Sequence, residues 1–374
     1  MTTSIAEKAA GQDQATRTVR IDADSHNLIS VADLLPYLPQ RWRRYVETIG
    51  LRGQQATSLT ASASPLASRA DAWGPNGEPP GSDPALFVHN LLDRFDLDVA
   101  ILNSTLMQTQ QFMGPGSPRD LISALQRAGN DYEQEHWLEH DPRFRGAICV
   151  PFEDIDAAVA EVERCAADPR FVQILLPFRT FDPLGNPKYW PLLEIAQEHK
   201  LPIALHPAAQ HVTTGAGWQS FYYEHHTALP AALYAQMASL IFEGALDRFP
   251  DVQILFTEGG WSWVAPYAWR LDSVWSMLRD EVPDLQRAPS EYVGQNFWFT
   301  TQPIEEPEHP RQLLEMFGQL EQVGLGEKLM FSSDYPHWDF DSPDRAIPRH
   351  LPEDVRTRII GGNALKCYSR LGEV

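Results

Sequence analysis

The sequence predicts an α/β fold, a (β/α)8 or TIM barrel, with insertions at the C-terminal face of the barrel. Three observations support this prediction. Eight short apolar runs recur along the chain, segments of helical periodicity separate them, and polar side chains of metal-binding type end several of the runs. Strands that alternate with helices form parallel sheets, and eight such strands fit a closed barrel better than an open sheet.

The predicted strands are rich in Val, Ile, Leu and Phe, as is typical of strands that are buried on both faces. In chain order they are VRIDADSH (19–26), LDVAILNST (97–105), FRGAICVPF (144–152), FVQILLPF (171–178), PIALHPA (202–208), VQILFTEGG (252–260), FWFTTQPI (297–304) and LMFSSDYPH (329–337). The segments DAAVAEVERCAAD, YWPLLEIAQEHK and PAALYAQMASLIFEGALDRFP, after the third, fourth and fifth strands, have the period of amphipathic helices.

Two stretches exceed a minimal barrel, residues 28–92 and residues 209–229. The first contains a run rich in Ser, Ala, Gly and Pro, which is typical of an irregular insertion. Both follow strands at the end where barrel enzymes carry their chemistry, so we expect them to form a lid or a pocket wall. Residues 1–18 are polar and are expected to be a disordered tail, which leaves residues 19–374 as the barrel domain.

The composition limits the partners and the location of the protein. The net charge is −20 without a basic cluster, which argues against binding to nucleic acid. The sequence has no membrane-spanning apolar run and no secretory signal, so we expect a cytoplasmic protein that does not bind membranes. Cys149, Cys165 and Cys367 are widely spaced without a C-x-x-C pair, which predicts reduced, buried thiols.

Acidic and imidazole side chains end four of the predicted strands. They are Asp24 and His26 on the first strand, His206 on the fifth, Glu258 on the sixth and Asp334 on the eighth. A lone D-x-H is more often a hydrogen-bonded pair, but buried charges on four strands are costly unless they are paired or bind a metal. We therefore expect one or two divalent ions, for which Zn(II), Fe(II) and Mn(II) suit these ligands equally.

Further candidates lie near these ligands. Asp22 is one step deeper on the face of Asp24 and, with the adjacent His225 and His226, offers spare ligands for a second ion. Adjacent side chains diverge, so at most one of the two histidines should face the pocket. We consider His226 for proton transfer and His225 for substrate contact. A helix capped by Thr227 with exposed histidines is the alternative explanation.

Five more residues are candidates for substrate contacts. Arg179 follows the fourth strand and could pair with a substrate carboxylate or phosphate, or form a surface salt bridge. Trp261 and Trp263 could form one aromatic wall over the substrate, or pack in the core beneath the insertion. Gln302 and His337 could hydrogen-bond the substrate or the ligands, and His337 is the weaker candidate because SDYPHWD can turn outward.

The sequence resembles a known family at these residues. The segments IDADSH, LPIALHP, FPDVQILFTEGGWSW, LMFSSDYPHWD and GGNALKCY are similar to the amidohydrolase-related branch of the amidohydrolase superfamily, which includes aminocarboxymuconate-semialdehyde decarboxylase and the dihydroxybenzoate decarboxylases. The ligand positions of the family match four residues here: Asp24, His26, His206 and Asp334. The resemblance also implies that Asp334 orients or deprotonates a metal-bound water, and that the protein pairs as a homodimer.

Two departures from the family pattern shape the expected function. The decarboxylases of this branch have FAHGG where this chain has FTEGG, so Glu258 stands in place of a catalytic histidine and supplies no imidazolium. The fourth strand also lacks a lysine that could bridge two metals. We therefore expect first a hydrolase, in which a metal-activated water cleaves a bond of a bulky small molecule while Asp334 and Glu258 transfer protons.

The scissile bond of such a hydrolase is an amide, ester, lactone or thioester, and an acyl-CoA-type thioester is included because the fold resembles that of some iron-dependent thioesterases. The resemblance equally implies an alternative, the metal-dependent non-oxidative decarboxylation of an aromatic or unsaturated carboxylic acid. An inactive binding protein is a third hypothesis, and the complete ligand set argues against it.

Overall fold

In a computed structural model of this chain, eight parallel strands form one sheet whose order follows the sequence. The structure describes residues 18–50, 67–108, 118–207, 220–228, 230–349 and 351–372. The strands are β1 (Ile21–Ser25), β2 (Val99–Leu102), β3 (Phe144–Cys149), β4 (Phe171–Pro177), β5 (Ile203–His206), β6 (Ile254–Phe256), β7 (Phe297–Thr300) and β8 (Leu329–Met330). All eight predicted strands are present, and the (β/α)8 barrel is confirmed.

The barrel closes where β1 meets the segment that follows β8. The backbone N–H of Asp334 donates to the carbonyl oxygen of Asp24 over 3.0 Å, and that of His26 donates to the carbonyl oxygen of Tyr335 over 2.7 Å. Ser25 and Tyr335 form a parallel bridge at the same place. We call this junction the seam. The backbone bonds of the seam therefore hold together the two chain segments that carry Asp24, His26 and Asp334.

The strands are apolar on both faces because each face packs in a different layer. In β5, Ile203 and Leu205 belong to the cluster that includes helix residues such as Leu240. Ala204 packs in the other cluster with Leu255, and it shares its face with His206, two residues further along the strand. The barrel interior is thus apolar below the level at which the polar side chains begin.

Helices surround the sheet. The α-helices of the described residues are Val31–Leu34, Gln40–Ile49, Pro84–Phe87, Arg119–Tyr132, Ile155–Cys165, Trp190–Glu198, Tyr222–Thr227, Ala231–Phe242, Ala245–Arg248, Val264–Leu278, Pro289–Asn296, Pro310–Gln322, Pro343–Ala346, Glu353–Thr357 and Asn363–Cys367. Three segments are π-helical, namely Val88–Asp93, Glu133–Leu138 and Arg358–Gly362. The helices predicted after the third, fourth and fifth strands are all present, and Gly244 divides the last of them into two.

The insertion after β1 is more regular than the sequence predicted. Ser30 begins the helix Val31–Leu34 with a capping box that includes Asp33, and Asp83 caps the helix Pro84–Phe87. The first of these helices lies outside the run rich in Ser, Ala, Gly and Pro, and the second begins at the last residue of that run. Residues 51–66, at the centre of the insertion, lie outside the described part of the chain.

The described end of the insertion reaches the segment that follows β8. The backbone N–H of Trp338 donates to the carbonyl oxygen of Ala67 over 2.7 Å, and that of Arg69 donates to the carbonyl oxygen of Pro336 over 3.0 Å. These contacts bring the insertion to the C-terminal end of the barrel. Its role as a lid stays a prediction, as does that of residues 209–229, of which 209–219 and 229 are not described.

Two smaller expectations concern the cysteines and the N-terminus. Cys149, Cys165 and Cys367 are buried and form no disulfide bond within the described residues, as predicted. The predicted tail, residues 1–18, lies outside the described residues except for its last position. Among the helices that the structure describes, none has both the length and the apolar character needed to span a membrane.

Gly361 offers a test of how the C-terminal segment packs on the start of β1. A Cβ atom at Gly361 would overlap the backbone carbonyl of Val19, whereas a Cβ atom at Gly362 would come no closer than 3.5 Å to its nearest neighbour, the carbonyl oxygen of Thr357. We expect Gly361→Ala to lower the free energy of unfolding by about 1–3 kcal/mol because backbone must move to relieve the overlap. Urea denaturation beside Gly362→Ala measures this, and equal losses in both variants would contradict the explanation.

Candidate metal centre

Four of the predicted ligand residues form one compact cluster at the C-terminal end of the barrel. Potential ligand atoms of Asp24, His26, His206 and Glu258 all lie within 4.8 Å of one another. Asp24 lies on β1 and His26 directly after that strand, His206 ends β5, and Glu258 follows β6 by two residues. All four are buried. Because the carboxyl ends of parallel strands meet at one end of a barrel, distant parts of the chain converge here.

Backbone carbonyls set the orientation of the two histidines. Nδ1 of His26 lies 2.8 Å from the carbonyl oxygen of Asn103, and Nδ1 of His206 lies 2.7 Å from that of Pro207. A carbonyl oxygen only accepts, so Nδ1 of each ring carries a proton and donates it. Nε2 of each ring is therefore directed at the cluster, in the arrangement that metal-binding histidines adopt.

The distances within the cluster require a positive charge between its members. Nε2 of His26 lies 2.8 Å from Oδ1 of Asp334 and 3.4 Å from Oδ1 of Asp24. Nε2 of His206 lies 3.1 Å from Oε2 of Glu258. An imidazole lone pair and a carboxylate oxygen repel each other at such distances unless a proton or a metal cation lies between them. The donor set of carboxylates and imidazoles suits a divalent metal.

Two unpaired atoms also fit a metal. Oδ2 of Asp24 is buried and makes no hydrogen bond within the described residues, and Nε2 of His206, also buried, faces the carboxylate oxygen of Glu258 at 3.1 Å without a regular hydrogen bond. Polar atoms that are buried without a partner are costly, and native proteins rarely keep them without a function. A divalent cation would supply the missing partner for both atoms.

The electrostatics of the cluster favour positive charge. Burial disfavours a charged His206, but the carboxylates of Asp24 and Glu258 outweigh it and hold the pKa of His206 well above its ordinary value. Burial raises the pKa of Glu258, and the charge of Asp334 adds to this effect. Without a cation, protons thus neutralise the excess of carboxylates, and a divalent metal would displace them.

Backbone strain marks the two acidic residues at the ends of β6 and β8. Glu258 has φ 56° and Asp334 has φ 58°, in the left-handed region that residues other than glycine rarely adopt. Such a conformation costs on the order of 1–3 kcal/mol and persists where the surroundings enforce it, often at active sites. The N–H of Glu258 donates to Oγ1 of Thr300 over 3.0 Å, and the N–H of Asp334 is held in the seam.

Asp334 belongs to a second group of possible ligands that overlaps the first. This group consists of His26, Glu258, Asp334 and His337. Nδ1 of His337 lies 2.6 Å from Oδ1 of Asp334. Burial opposes the charged form of His337, but the charge of Asp334 raises the pKa of His337 to about 9. His337, the weaker candidate from sequence, thus contacts a predicted ligand directly.

Gln302 and His226 lie at the edge of the site and do not belong to either group. Nε2 of Gln302 lies 3.2 Å from Oδ2 of Asp334 and 3.1 Å from Oδ2 of Asp339. Asp339 in turn pairs with Nε2 of His226 over 2.9 Å. His226 is therefore linked to Asp334 through two side chains. The side chain of His225 lies outside the part of the chain that the structure describes.

Three further candidates for substrate contacts, Arg179, Trp261 and Trp263, have different surroundings in the structure. Arg179 is partly buried after β4, and burial lowers the pKa of its guanidinium. Trp261 is fully buried and stacks on Phe317 at 4.6 Å between ring centres. Trp263 packs on Tyr234 and Phe256, and its Nε1 donates to the carbonyl oxygens of Gly259 and Gly260. Core packing, the second explanation considered for the two tryptophans, accounts for these contacts, and they do not form one wall.

Asn103 is a site residue that the sequence prediction missed. Its side-chain amide donates to Oδ1 of Asp24 over 2.7 Å, while its carbonyl oxygen accepts from His26. It directly follows β2, so the rule that found the ligands, a polar residue at a strand end, would have found it too. Asp22, by contrast, uses Oδ1 to accept the backbone N–H groups of Asp24 and Ser333.

Comparison with known proteins agrees with this architecture. The family model described as Amidohydrolase matches residues 21–370. The gamma-resorcylate decarboxylase of Polaromonas sp. strain JS666 is 26% identical over 261 residues, which are 65% of this chain and 75% of that protein. The 2-amino-3-carboxymuconate-6-semialdehyde decarboxylase of Dictyostelium discoideum is 22% identical over 294 residues, which are 76% of each chain.

Solved structures share the fold over nearly the whole chain. An amidohydrolase of Mycobacterium avium subsp. paratuberculosis K-10 superimposes with a TM-score of 0.71 at 18% identity, over 95% of this chain and all of that one. A dihydroxybenzoic acid decarboxylase of Polaromonas sp. JS666, solved with manganese and the inhibitor 2-nitroresorcinol, has a TM-score of 0.64 at 20% identity, over 96% of this chain and 98% of that one. The family match spans the barrel from β1 to beyond its last helix, and the chain therefore belongs to the amidohydrolase family, as an enzyme of the amidohydrolase superfamily.

Proposed function

We propose that this enzyme catalyses the metal-dependent, non-oxidative decarboxylation of an aromatic or unsaturated carboxylic acid. The observation that carries the proposal is a cluster that combines metal-binding side chains with an adjacent buried acid, Glu258, whose Oε2 lies 3.1 Å from Nε2 of His206. The decarboxylases among its relatives support this reaction over hydrolysis. This reverses the order expected from sequence, in which Glu258 favoured hydrolysis.

The proposed ligands are Asp24, His26, His206 and Asp334, which leaves the carboxyl group of Glu258 free to carry a proton beside them. A bound divalent metal would hold the substrate carboxylate and a neighbouring oxygen and would stabilise negative charge on them. Manganese is the first ion to test, because it is bound in the related dihydroxybenzoic acid decarboxylase. Zinc and ferrous iron suit the same ligands.

The protein must supply a proton to carbon. When the bond between the substrate carbon and its carboxyl group breaks, the electron pair stays on that carbon and CO2 leaves, so the carbon takes up one proton. We assign this transfer to the carboxyl group of Glu258. The N–H of Glu258 is held by Thr300, which limits the directions in which the side chain can point. His226 contacts Asp339, and Gln302 connects Asp339 to Asp334, so we propose His226 as a group that tunes the charge around Asp334.

Hydrolysis of an ester, amide, lactone or thioester is a second candidate, and one observation favours it. Asp334 and Glu258 are two buried carboxylates in one group with His26 and His337, and such a pair can remove a proton from an attacking water and pass it to a leaving group. Both reactions need the same ligands, and they differ in where solvent atoms enter the product.

Isotope incorporation separates the two reactions. We expect the manganese-loaded enzyme, given a panel of hydroxybenzoates and unsaturated acids in D2O, to release CO2 and leave one deuterium on the carbon that carried the carboxyl group. Mass spectrometry of the product measures this. A hydrolase given a panel of esters, lactones and acyl-CoA thioesters in H2¹⁸O would instead put ¹⁸O into the released acid, and that result without decarboxylation would overturn the proposal.

Metal content tests the ligand set. We expect freshly purified protein to contain one or two divalent ions per chain, and His206→Ala to lose most of them because a ring that points Nε2 into the cluster is removed. His199→Ala is the matched control, since His199 pairs with Glu163 at the surface. Elemental analysis of the three proteins gives the answer. Full metal content in His206→Ala would exclude His206 from the ligands.

A change at Glu258 tests the proton donor. We expect Glu258→Gln to lower kcat roughly 10²- to 10⁴-fold, because the amide keeps the shape of the side chain but transfers no proton. Glu161→Gln is the control, since Glu161 is also 7% exposed but bonds to Asn130 and Arg164 away from the ligands. Turnover per bound metal should be measured for both variants. An unchanged kcat in Glu258→Gln would remove this residue from the reaction.

A further inference from the structure

A chain of buried side chains leads from the C-terminal segment to the ligand cluster. The hydroxyl of Tyr368 donates to Oε1 of Gln173 over 2.8 Å. The amide of Gln173 donates to Oδ1 of Asn103 over 2.6 Å, and the amide of Asn103 donates to Oδ1 of Asp24 over 2.7 Å. At most 1% of the surface of any of these residues is exposed. Gln173 is also a polar residue in the middle of an otherwise apolar strand, which core packing alone does not explain.

The ionised carboxylate of Asp24 determines which group donates in each hydrogen bond of this chain. A carboxylate that binds a metal is ionised and only accepts, so Asn103 must turn its NH2 group towards Asp24. The oxygen of Asn103 then faces Gln173, which must present its own NH2 group. The oxygen of Gln173 in turn faces Tyr368, whose hydroxyl must donate. Each group thus has one permitted orientation.

Asn103 connects this chain to both ligands of β1. Its side chain holds Asp24, and its backbone carbonyl holds Nδ1 of His26 at 2.8 Å. Since Oδ1 of Asp24 accepts the amide, Oδ2 is the oxygen left without a hydrogen bond within the described residues. The buried chain therefore holds the carboxylate at Oδ1, the oxygen that also lies 3.4 Å from Nε2 of His26 and 3.6 Å from Nε2 of His206.

We propose that Asn103, Gln173 and Tyr368 are positioning residues that hold Asp24 in its metal-binding orientation through a hydrogen-bond chain of fixed direction. Hydrogen bonds in series polarise one another, so the loss of a distant donor weakens the bond at Asp24. Partners behind metal ligands typically contribute about 10- to 100-fold to metal affinity. By reciprocity, a bound metal stabilises the contact of Tyr368 with the barrel.

The inference rests on the metal-binding part of the proposed function and is independent of which reaction the enzyme catalyses. An ordinary structural role is the competing explanation. It holds that the four groups hydrogen-bond one another only because buried polar groups need partners. A structural role lowers the stability of the metal-free protein and leaves metal affinity unchanged. A positioning role changes metal affinity and the geometry around the metal.

Three variants interrupt the chain at different distances from Asp24. Asn103→Ala removes the direct donor. Gln173→Glu keeps the shape and, at a pH high enough to ionise this buried carboxyl group, puts an acceptor oxygen opposite the oxygen of Asn103, so the chain can no longer run in the required direction. Tyr368→Phe removes one oxygen atom at the far end and is the variant least disruptive to folding. The matched controls are Tyr292→Phe and Gln236→Glu, because both native residues are buried and hydrogen-bonded, to Asp247 and to the carbonyl oxygen of Phe178 respectively.

The measurements are the affinity of the full-length metal-free protein for Mn(II), the visible absorption spectrum with Co(II), and thermal unfolding with and without metal. We expect Mn(II) affinity to fall roughly 10- to 100-fold in Asn103→Ala and Gln173→Glu, with an altered Co(II) spectrum. We expect a smaller loss, roughly 3- to 10-fold, in Tyr368→Phe, about the value of one hydrogen bond. The stabilisation of this variant by metal should shrink accordingly, while both controls keep wild-type affinity and spectrum.

Two outcomes would overturn the inference, and they differ in what they mean for the proposed function. If the wild type binds Mn(II) and Co(II) and Tyr368→Phe and Gln173→Glu do so equally well, the chain has only a structural role and the proposed metal site stands. If the wild type binds neither ion, both the inference and the proposed function fail.

Discussion

The hydrogen bond between the N–H of Asp334 and the carbonyl oxygen of Asp24 is the interaction on which the rest of this structure depends. It closes the barrel, since it joins β1 to the segment after β8, and it brings two acidic side chains to the same place. His26 and Asp334, which are 308 residues apart in sequence, come within 2.8 Å only because this seam forms. Closure of the fold and assembly of the candidate metal centre are therefore one event.

The cost of that arrangement is a concentration of buried charge. Asp24, Glu258 and Asp334 lie close together, and the site retains them with two strained backbones and two unpaired buried atoms. Each of these features is unfavourable for folding alone. Together they indicate a site that a bound cation would stabilise. The side chains are already arranged for a cation, and this arrangement lowers the stability of the metal-free protein.

Much of the fold and part of the site could be predicted from the sequence. Strands such as FVQILLPF are recognisable because they are apolar on both faces, and Asp24, His206 and Asp334 because a charge at a strand end has few structural explanations. The short helices after β1 were missed because single capping residues, Ser30 and Asp83, create them within a loop-like composition.

The other features that could not be predicted from the sequence are contacts between residues that are distant along the chain. Nothing local marks Tyr368 as a partner of Gln173, and the packing of Trp261 on Phe317 depends on a helix that begins some fifty residues later. Asn103 also stands at a strand end, but an uncharged amide there costs less to bury than a charge and so points less clearly to a metal site. The choice between decarboxylation and hydrolysis depends on a substrate that the chain alone does not specify.

The position of the seam also determines when the site can exist during synthesis of the protein. A ribosome produces Asp24 and His26 early, but Asp334 and Tyr368 emerge only near the end of the described chain. Throughout most of translation Asp24 and His26 lack the partner that the seam brings to them. A chain that stops before β8 lacks both the seam and Asp334, so it cannot form the group of His26, Glu258, Asp334 and His337.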